Sequence, residues 1–430
     1  MNRATDDTAY APLDVDTLPA RLGGVEAVTS RLGSDTAGWR VREVGDGNLN
    51  LVFIVESETG AVVVKQALPY VRLVGDSWPL PLSRSFYEYH ALTRQAARAP
   101  GTVPEIFHFD EAQALLVMTY LSPHRILRHS LMSGERHGGL GETLGRFCAD
   151  TLFRGSDLSM DAAGRKADVA LFAGNVALCD ITESLVFTDP WFDAPMNRHT
   201  PGLEETVAEL RADVALKVAV QHLKLAFCSR AETLLHGDLH TGSVMVHGDE
   251  AKVIDPEFAL YGPVGFDVGM LIANFAMARC AQPGHASADD DRAGYGEWIL
   301  EVAATVWRTF EARFRELWRD ERSGILYPRA LYEDQGHEEG SERALDDRLA
   351  AVRRDAIGIG GAEIVRRTLG LAHIAEYEDI ADEALRARCE RAGLLAAREW
   401  LLDAPRIESV EAALDIVRKH AHEAERGTAA

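Results

Sequence analysis

Leu235-His236-Gly237-Asp238-Leu239-His240-Thr241-Gly242-Ser243, followed one hairpin later by Val253-Ile254-Asp255-Pro256-Glu257, decides how this chain is read. Each acidic position closes an apolar run. Phosphoryl transfer needs such a pair of sites: one carboxylate that takes the proton of an acceptor hydroxyl and aims it for in-line attack, and others beside a metal that bridges nucleotide phosphates. Asp238 is the candidate catalytic base. Asp255 and Glu257 are the candidate Mg²⁺ ligands, because hard oxygen donors suit that ion and residues i and i+2 of an extended backbone share a face. A metal site built from His236, Asp238 and His240 competes with this reading, but no HExxH-type signature accompanies it. Asp267, in Gly265-Phe266-Asp267-Val268, is expected to cap the following helix or to brace the Asp238 loop through backbone N–H groups.

Upstream of these motifs the spacing predicts a helix over 15–34, then strands over Trp39–Val44, Leu51–Glu56 and Ala61–Gln66. A helix over Ser83–Arg98 and strands over Ile106–Phe109 and Ala114–Tyr120 complete a small sheet region. Downstream, helical spacing recurs over Leu140–Phe153, Leu203–Lys224, Phe266–Arg279, Trp298–Trp318, Ala362–Tyr377 and Ala384–Leu402, with polar loops at Gln282–Gly296 and Glu333–Glu342. The expected fold is α+β and bilobal. A small N-terminal antiparallel-sheet lobe spans residues 1–120, a large mainly helical lobe spans 121–430, and the nucleotide lies in the cleft.

Three further groups fit that chemistry. Gly45-Asp46-Gly47-Asn48 joins two strands, and glycines let backbone N–H groups approach phosphate oxygens; the loop lacks GxGxxG spacing, and an ordinary hairpin turn explains it equally. Lys65 ends the apolar run Ala61-Val62-Val63-Val64, where an unpaired ammonium is costly. Glu88 is the one acidic residue of Ser83–Arg98 and so its local ion-pair candidate. Arg366 and Arg367 point about 100° apart on a helix, so at least one can face a site, while on spacing alone both could meet solvent.

The chain has 430 residues, 47% of them hydrophobic, and a formal charge of -22. That length suggests two lobes. The acidic balance argues against nucleic acid as a partner, which needs a basic face. Five scattered cysteines without a CxxC pair fit a reducing cytoplasm. No run of eighteen apolar residues marks a membrane span.

Taken together, these segments resemble the 5-methylthioribose kinase family, in the aminoglycoside-phosphotransferase-like branch of the protein-kinase-like fold. The resemblance covers nearly the whole chain. Its most specific parts are Gly45–Asn50, Lys65-Gln66-Ala67-Leu68-Pro69-Tyr70-Val71-Arg72 and Gly75-Asp76-Ser77-Trp78-Pro79. To these are added His236–Ser243, Asp255-Pro256-Glu257-Phe258-Ala259 and Arg366-Arg367 with Gly370-Leu371-Ala372-His373. The broader branch usually has Asn where Ser243 stands and Asp where Glu257 stands, which points to this subfamily and leaves the number of metals open. The resemblance implies ATP and Mg²⁺, a small sugar substrate, methionine salvage and a cytoplasmic homodimer. It implies that Asp238 activates the anomeric hydroxyl, that Asp255 and Glu257 hold Mg²⁺, and that Lys65 with Gly45, Gly47 and Asn48 grips phosphates. It further implies that Glu88 orients Lys65, that Met118 and Tyr120 meet the adenine, that Trp78 belongs to a lid, and that Arg366 and Arg367 steady the sugar or the transferring phosphoryl group. Related kinases of aminoglycosides, choline or homoserine, and a non-catalytic nucleotide-binding regulator, are the alternatives.

Overall fold

The computed structural model describes residues 10–44, 49–71, 75–292 and 294–426. Gly45, Gly47 and Asn48, and Arg72 with its neighbours 73 and 74, lie outside the described residues. The chain divides into two compact units, Met1–Pro123 with Lys252–Ala259, and His124–Ala251 with Leu260–Ala430.

The first unit is built on strands β1 (Arg40–Glu43), β2 (Asn50–Glu56), β3 (Ala61–Ala67), β4 (Tyr70–Val71), β5 (Gly75–Pro79), β6 (Ile106–Asp110) and β7 (Leu115–Thr119). Five of them form an antiparallel sheet of order β1-β2-β3-β7-β6, while β4 and β5 pair separately. Register sets Phe53 opposite Val64 and Val55 opposite Val62. These four pack with Leu115, Val117 and Trp39 against Leu18, Leu22, Val28 and Leu32. Burying each such side chain contributes roughly 1.5–3 kcal/mol. Strand alternation then turns Lys65, next to Val64, to the opposite face. The helix Arg84–Arg98 buries Arg84, Glu88, Ala91, Leu92 and Gln95, a spacing of three and four that puts Glu88 on its inner side. The single helix expected over 15–34 is two, Leu18–Leu22 and Glu26–Leu32. Gly23 and Gly24 separate them, each costing about 1 kcal/mol inside a helix.

The second unit is mainly helical. Its strands are β8 (Arg125–Ile126), β9 (Thr233–Leu234), β10 (Val244–His247), β11 (Glu250–Val253) and β12 (Tyr261–Gly262), with the unit boundary falling inside β11. β8 pairs with β10 and β9 with β12, both antiparallel. The helices Gly265–His285 and Glu338–Leu369 cross at backbone contact. A Cβ on Gly269 would stand 2.4 Å from the Ala356 carbonyl oxygen, and one on Gly360 would stand 3.1 Å from that of Gly269. Only glycines permit that approach.

Several expected boundaries move. Leu203–Lys224 is split into Glu204–Ala212 and Val214–Ser229, because Asp213 accepts from the N–H groups of Ala215 and Leu216 and starts a new helix. The helix expected over Ala362–Tyr377 runs from Glu338 to Leu369, stops at Gly370 and is followed by a separate turn at Ala375–Glu378. Its first half looks charged all round, yet Leu345, Leu349, Val352 and Ala356 make a buried stripe. The loops expected at Gln282–Gly296 and Glu333–Glu342 shorten, since helices reach His285 and begin at Tyr295 and Glu338. Leu127–Met132, Ala162–Phe172, Val176–Leu185 and Val410–Arg426 are further helices that the spacing analysis leaves unassigned. Among the described residues no single helix is long and apolar enough to cross a membrane.

Candidate active site

Within the first unit, Lys65 is 6% exposed and its Nζ lies 2.8 Å from both Glu88 Oε1 and Asp255 Oδ1. Asp255 has φ 64°, the left-handed region that Asp tolerates better than most residues. The extended backbone expected for Asp255-Pro256-Glu257 is therefore absent, and a turn orients the two carboxylates independently. Glu257 instead faces the start of the helix Arg84–Arg98: its Oε2 is 3.4 Å from Arg84 Nε and accepts from Asn50 Nδ2 at 3.3 Å. Arg84 is fully buried and also donates to the carbonyls of Leu49 and Leu68 and to Asn50 Oδ1. The reading of the sequence missed Arg84; its place four residues before Glu88, on the same helical face, was the available signal.

Three carboxylates, Glu88, Asp255 and Glu257, thus meet two cations, Lys65 and Arg84. Burial pushes Glu88 up to about 7, Asp255 and Glu257 add to that, and Lys65 opposes it. Burial works against the charge of Lys65, yet Asp255, Glu88 and Glu257 together hold its pKa above the ordinary value. A surplus of hard anionic oxygens is what a divalent cation requires, so this donor set fits Mg²⁺.

Met118 is buried on β7, opposite Val63 of β3, and Tyr120 follows that strand, its hydroxyl accepting from Arg42 Nη2 at 3.0 Å. Trp78 is half-buried on β5.

The second unit holds the other group. Gly237 has φ 86°, which turns the loop sharply after β9. Asp267, buried in the first turn of Gly265–His285, accepts from His236 N at 2.7 Å and Gly237 N at 3.0 Å, so it braces the loop and does not cap the helix. Ser243 Oγ donates to the Asp238 carbonyl at 3.0 Å, which engages this hydroxyl in holding the loop.

The Asp238 carboxylate is ringed by donors. Its Oδ1 accepts from Arg367 Nη2 at 3.0 Å and lies 3.5 Å from Arg366 Nη1, while its Oδ2 lies 3.3 Å from His240 Nε2. Burial opposes its charge, but His240, Arg367 and Arg366 outweigh burial and hold the carboxyl well below the ordinary range. His240 Nδ1 accepts from Gly242 N at 2.9 Å, which places the proton on Nε2, toward Asp238. Burial, with Arg367 and Arg128 nearby, lowers the His240 pKa against the opposing pull of Asp238. Since His236 Nδ1 likewise accepts from Asp238 N, the two rings are committed to the loop, and a His236–Asp238–His240 chelate does not form.

Both arginines are buried, 5% and 6% exposed, in the last turn of Glu338–Leu369, where cations suit the carbonyl end of a helix. Solvent takes neither of them. Two buried acids escaped the reading of the sequence: Glu363, paired with both arginines, and Glu376, paired with Arg128 Nε at 2.8 Å and accepting from Thr241 Oγ1 at 3.1 Å. Glu363 was findable as the acid three and four residues before the arginine pair; Glu376 was not, because no local period links it to Arg128.

Residues 40–300 match the phosphotransferase enzyme family. A methylthioribose kinase 1 of Oryza sativa subsp. japonica is 41% identical over 405 residues, covering 93% of this chain and 94% of its own length. A methylthioribose kinase of Escherichia coli O45:K1 is 40% identical over 409 residues, covering 95% and 97%. Among solved structures, a glucosamine kinase in complex with glucosamine, ADP and inorganic phosphate aligns over 89% of this chain and 86% of its own, at 17% identity and a TM-score of 0.47.

Proposed function

The chain belongs to the phosphotransferase enzyme family, among the methylthioribose kinases, and on that premise we propose that it phosphorylates the anomeric hydroxyl of 5-methylthioribose with ATP, a step of methionine salvage. The sugar oxygen attacks the γ-phosphorus, the bond to the β-phosphate oxygen breaks, ADP leaves, and the hydroxyl proton passes to Asp238. The observation that carries the reading is the contrast in charge: a carboxylate surplus around Lys65, and one carboxylate ringed by cations at Asp238.

Asp255 and Glu257 would hold Mg²⁺, which would supply charge neutralisation to the nucleotide's phosphates. Glu88 fixes Lys65, whose ammonium serves the α- and β-phosphates, and the family resemblance assigns Gly45, Gly47 and Asn48 to the same anion. Met118 and Tyr120 line the adenine contact and Trp78 contributes to a lid. Asp238 is a weak base as long as Arg366, Arg367 and His240 surround it. Its work is to orient the hydroxyl, accepting the proton late, as a loose transition state allows. Arg366 and Arg367 serve the sugar and the transferring phosphoryl group. A cationic acceptor such as an aminoglycoside or choline would face these guanidiniums at a Coulombic cost.

ADP release across methylthioribose, ribose, choline and kanamycin with Mg²⁺ tests the reading: turnover should be confined to methylthioribose, and preference for choline or kanamycin would overturn it. Five free cysteines support a reducing cytoplasmic setting. The reading includes a homodimer, which sedimentation checks.

A further inference from the structure

Arg366 and Arg367 each have a second anion. Glu363 stands one turn earlier on the same helix and is fully buried. Its Oε1 accepts from Arg367 Nε at 2.6 Å and its Oε2 from Arg366 Nη1 at 3.1 Å. Both guanidiniums are thereby tied from behind while their remaining reach goes to Asp238 Oδ1.

An ionised carboxylate offers about four lone-pair sites. At Asp238 the two guanidiniums approach Oδ1 and His240 approaches Oδ2, which leaves one acceptor position on Oδ2. Arginine prefers to meet a carboxylate through two parallel N–H···O bonds, one to each oxygen. The side-on form of that geometry, through Nε and Nη2, is closed to Arg367 at Asp238, because its Nε already donates to Glu363. The local charges also balance. Arg128, Arg366 and Arg367 face Asp238, Glu363 and Glu376. Without Glu363 two buried guanidiniums would share Asp238 alone, and a buried cation stripped of one partner is drawn to whatever partner remains.

We propose that Glu363 is a positioning residue that keeps Arg367 from clamping Asp238 side-on through both oxygens, and so keeps one Oδ2 lone pair open to the acceptor hydroxyl. This rests on the kinase reading above and adds to it a residue that touches neither substrate. The predicted signature is selective: the acceptor side suffers and the nucleotide side does not.

The test is steady-state kinetics of Glu363→Gln and Glu363→Asp in the full-length enzyme, with nucleotide affinity measured by calorimetry. Glu363→Gln should lower kcat/KM for the acceptor roughly ten- to a hundredfold, the value of a hydrogen bond to a charged group, with nucleotide affinity unchanged within about twofold. Glu363→Asp, which keeps the charge, should recover about half of that loss on a logarithmic scale. In an Arg366→Ala, Arg367→Ala background, adding Glu363→Gln should cost under about twofold, because residues acting through one another are not additive. Wild-type kinetics in Glu363→Gln, an equal loss of nucleotide affinity, or the full penalty persisting in the double-alanine background would each overturn the inference. Should Glu363→Gln fail to fold, Glu363→Asp decides alone: a selective acceptor loss supports the inference and wild-type behaviour overturns it. The comparison is made on whichever acceptor the wild type turns over. A selective loss on an acceptor other than methylthioribose keeps the inference and removes the substrate reading, and a wild type that turns over none removes both.

Discussion

The surroundings of Lys65 and those of Asp238 combine acids and bases in opposite ratios. Around Lys65 two cations serve three carboxylates, and burial pushes Glu88 up to about 7. Around Asp238 two arginines and a histidine N–H converge on one carboxylate and hold it well below the ordinary range. The first arrangement has more carboxylates than cations, which on the proposed reading suits an added divalent ion. The second is complete in charge and needs only a neutral hydroxyl. On the proposed reading, the ratio of acids to bases is what separates the place for a metal-bound polyanion from the place for a sugar.

The sharpest way to break this contrast is at the carboxylate on which the arginines converge. Asp238→Asn should lower turnover about 10²–10⁴-fold while leaving nucleotide binding nearly intact; undiminished turnover would take Asp238 out of the chemistry. On the acidic side, Asp255→Ala should cost roughly 10²–10³-fold in turnover and make nucleotide affinity indifferent to Mg²⁺, so calorimetry that still finds Mg²⁺-enhanced binding would refute the metal assignment.

A third carboxylate, outside both groups, sharpens the comparison by showing what burial does without a matched cation. Glu390, in the helix Glu383–Asp403, is fully buried, and burial pushes its pKa to about 7, with Thr200 and Arg386 opposing. A carboxyl with a folded pKa above its unfolded value contributes stability below about pH 4.5 and loses it as pH rises through 7. Relative to Glu390→Gln, the wild type should therefore lose about 3 kcal/mol between pH 4.5 and 8. Denaturant titrations at the two pH values would show it, and a pH-independent difference would contradict it. Smallest in expectation is Arg366→Ala. It should reduce acceptor kcat/KM roughly tenfold or somewhat more and spare nucleotide affinity; matched losses would place that guanidinium on the nucleotide side.

How much was legible depends on the range of the interaction. Lys65 stood out because a lysine closing an apolar strand needs a partner, and Glu88 because its helix offers no other acid; the pair is there at 2.8 Å. The antiparallel strands followed from alternation and turns. Helix ends were less legible wherever a cap or glycine pair decided them, as at Asp213 and Gly23-Gly24. The long helix Glu338–Leu369 hid because its charged half carries its apolar residues as a thin stripe. Arg84 and Glu363 lay one helical turn from residues already singled out, so local periodicity could have found them. Glu376 and Arg128, 248 positions apart in the chain, share no local signal.

By itself the sequence determined the elements and the chemistry available to them: period-two strands, amphipathic helices, and acids and bases at the ends of apolar runs, all properties of neighbours within a few residues. Only the tertiary structure decided that Lys252–Ala259 groups with Met1–Pro123, that Asp255 turns through a left-handed φ to meet Lys65, and that Arg366 and Arg367 reach Asp238 while Glu363 ties them from behind. The reason is that ion-pair energy depends on distances across the fold and on burial, and neither is a function of separation along the chain.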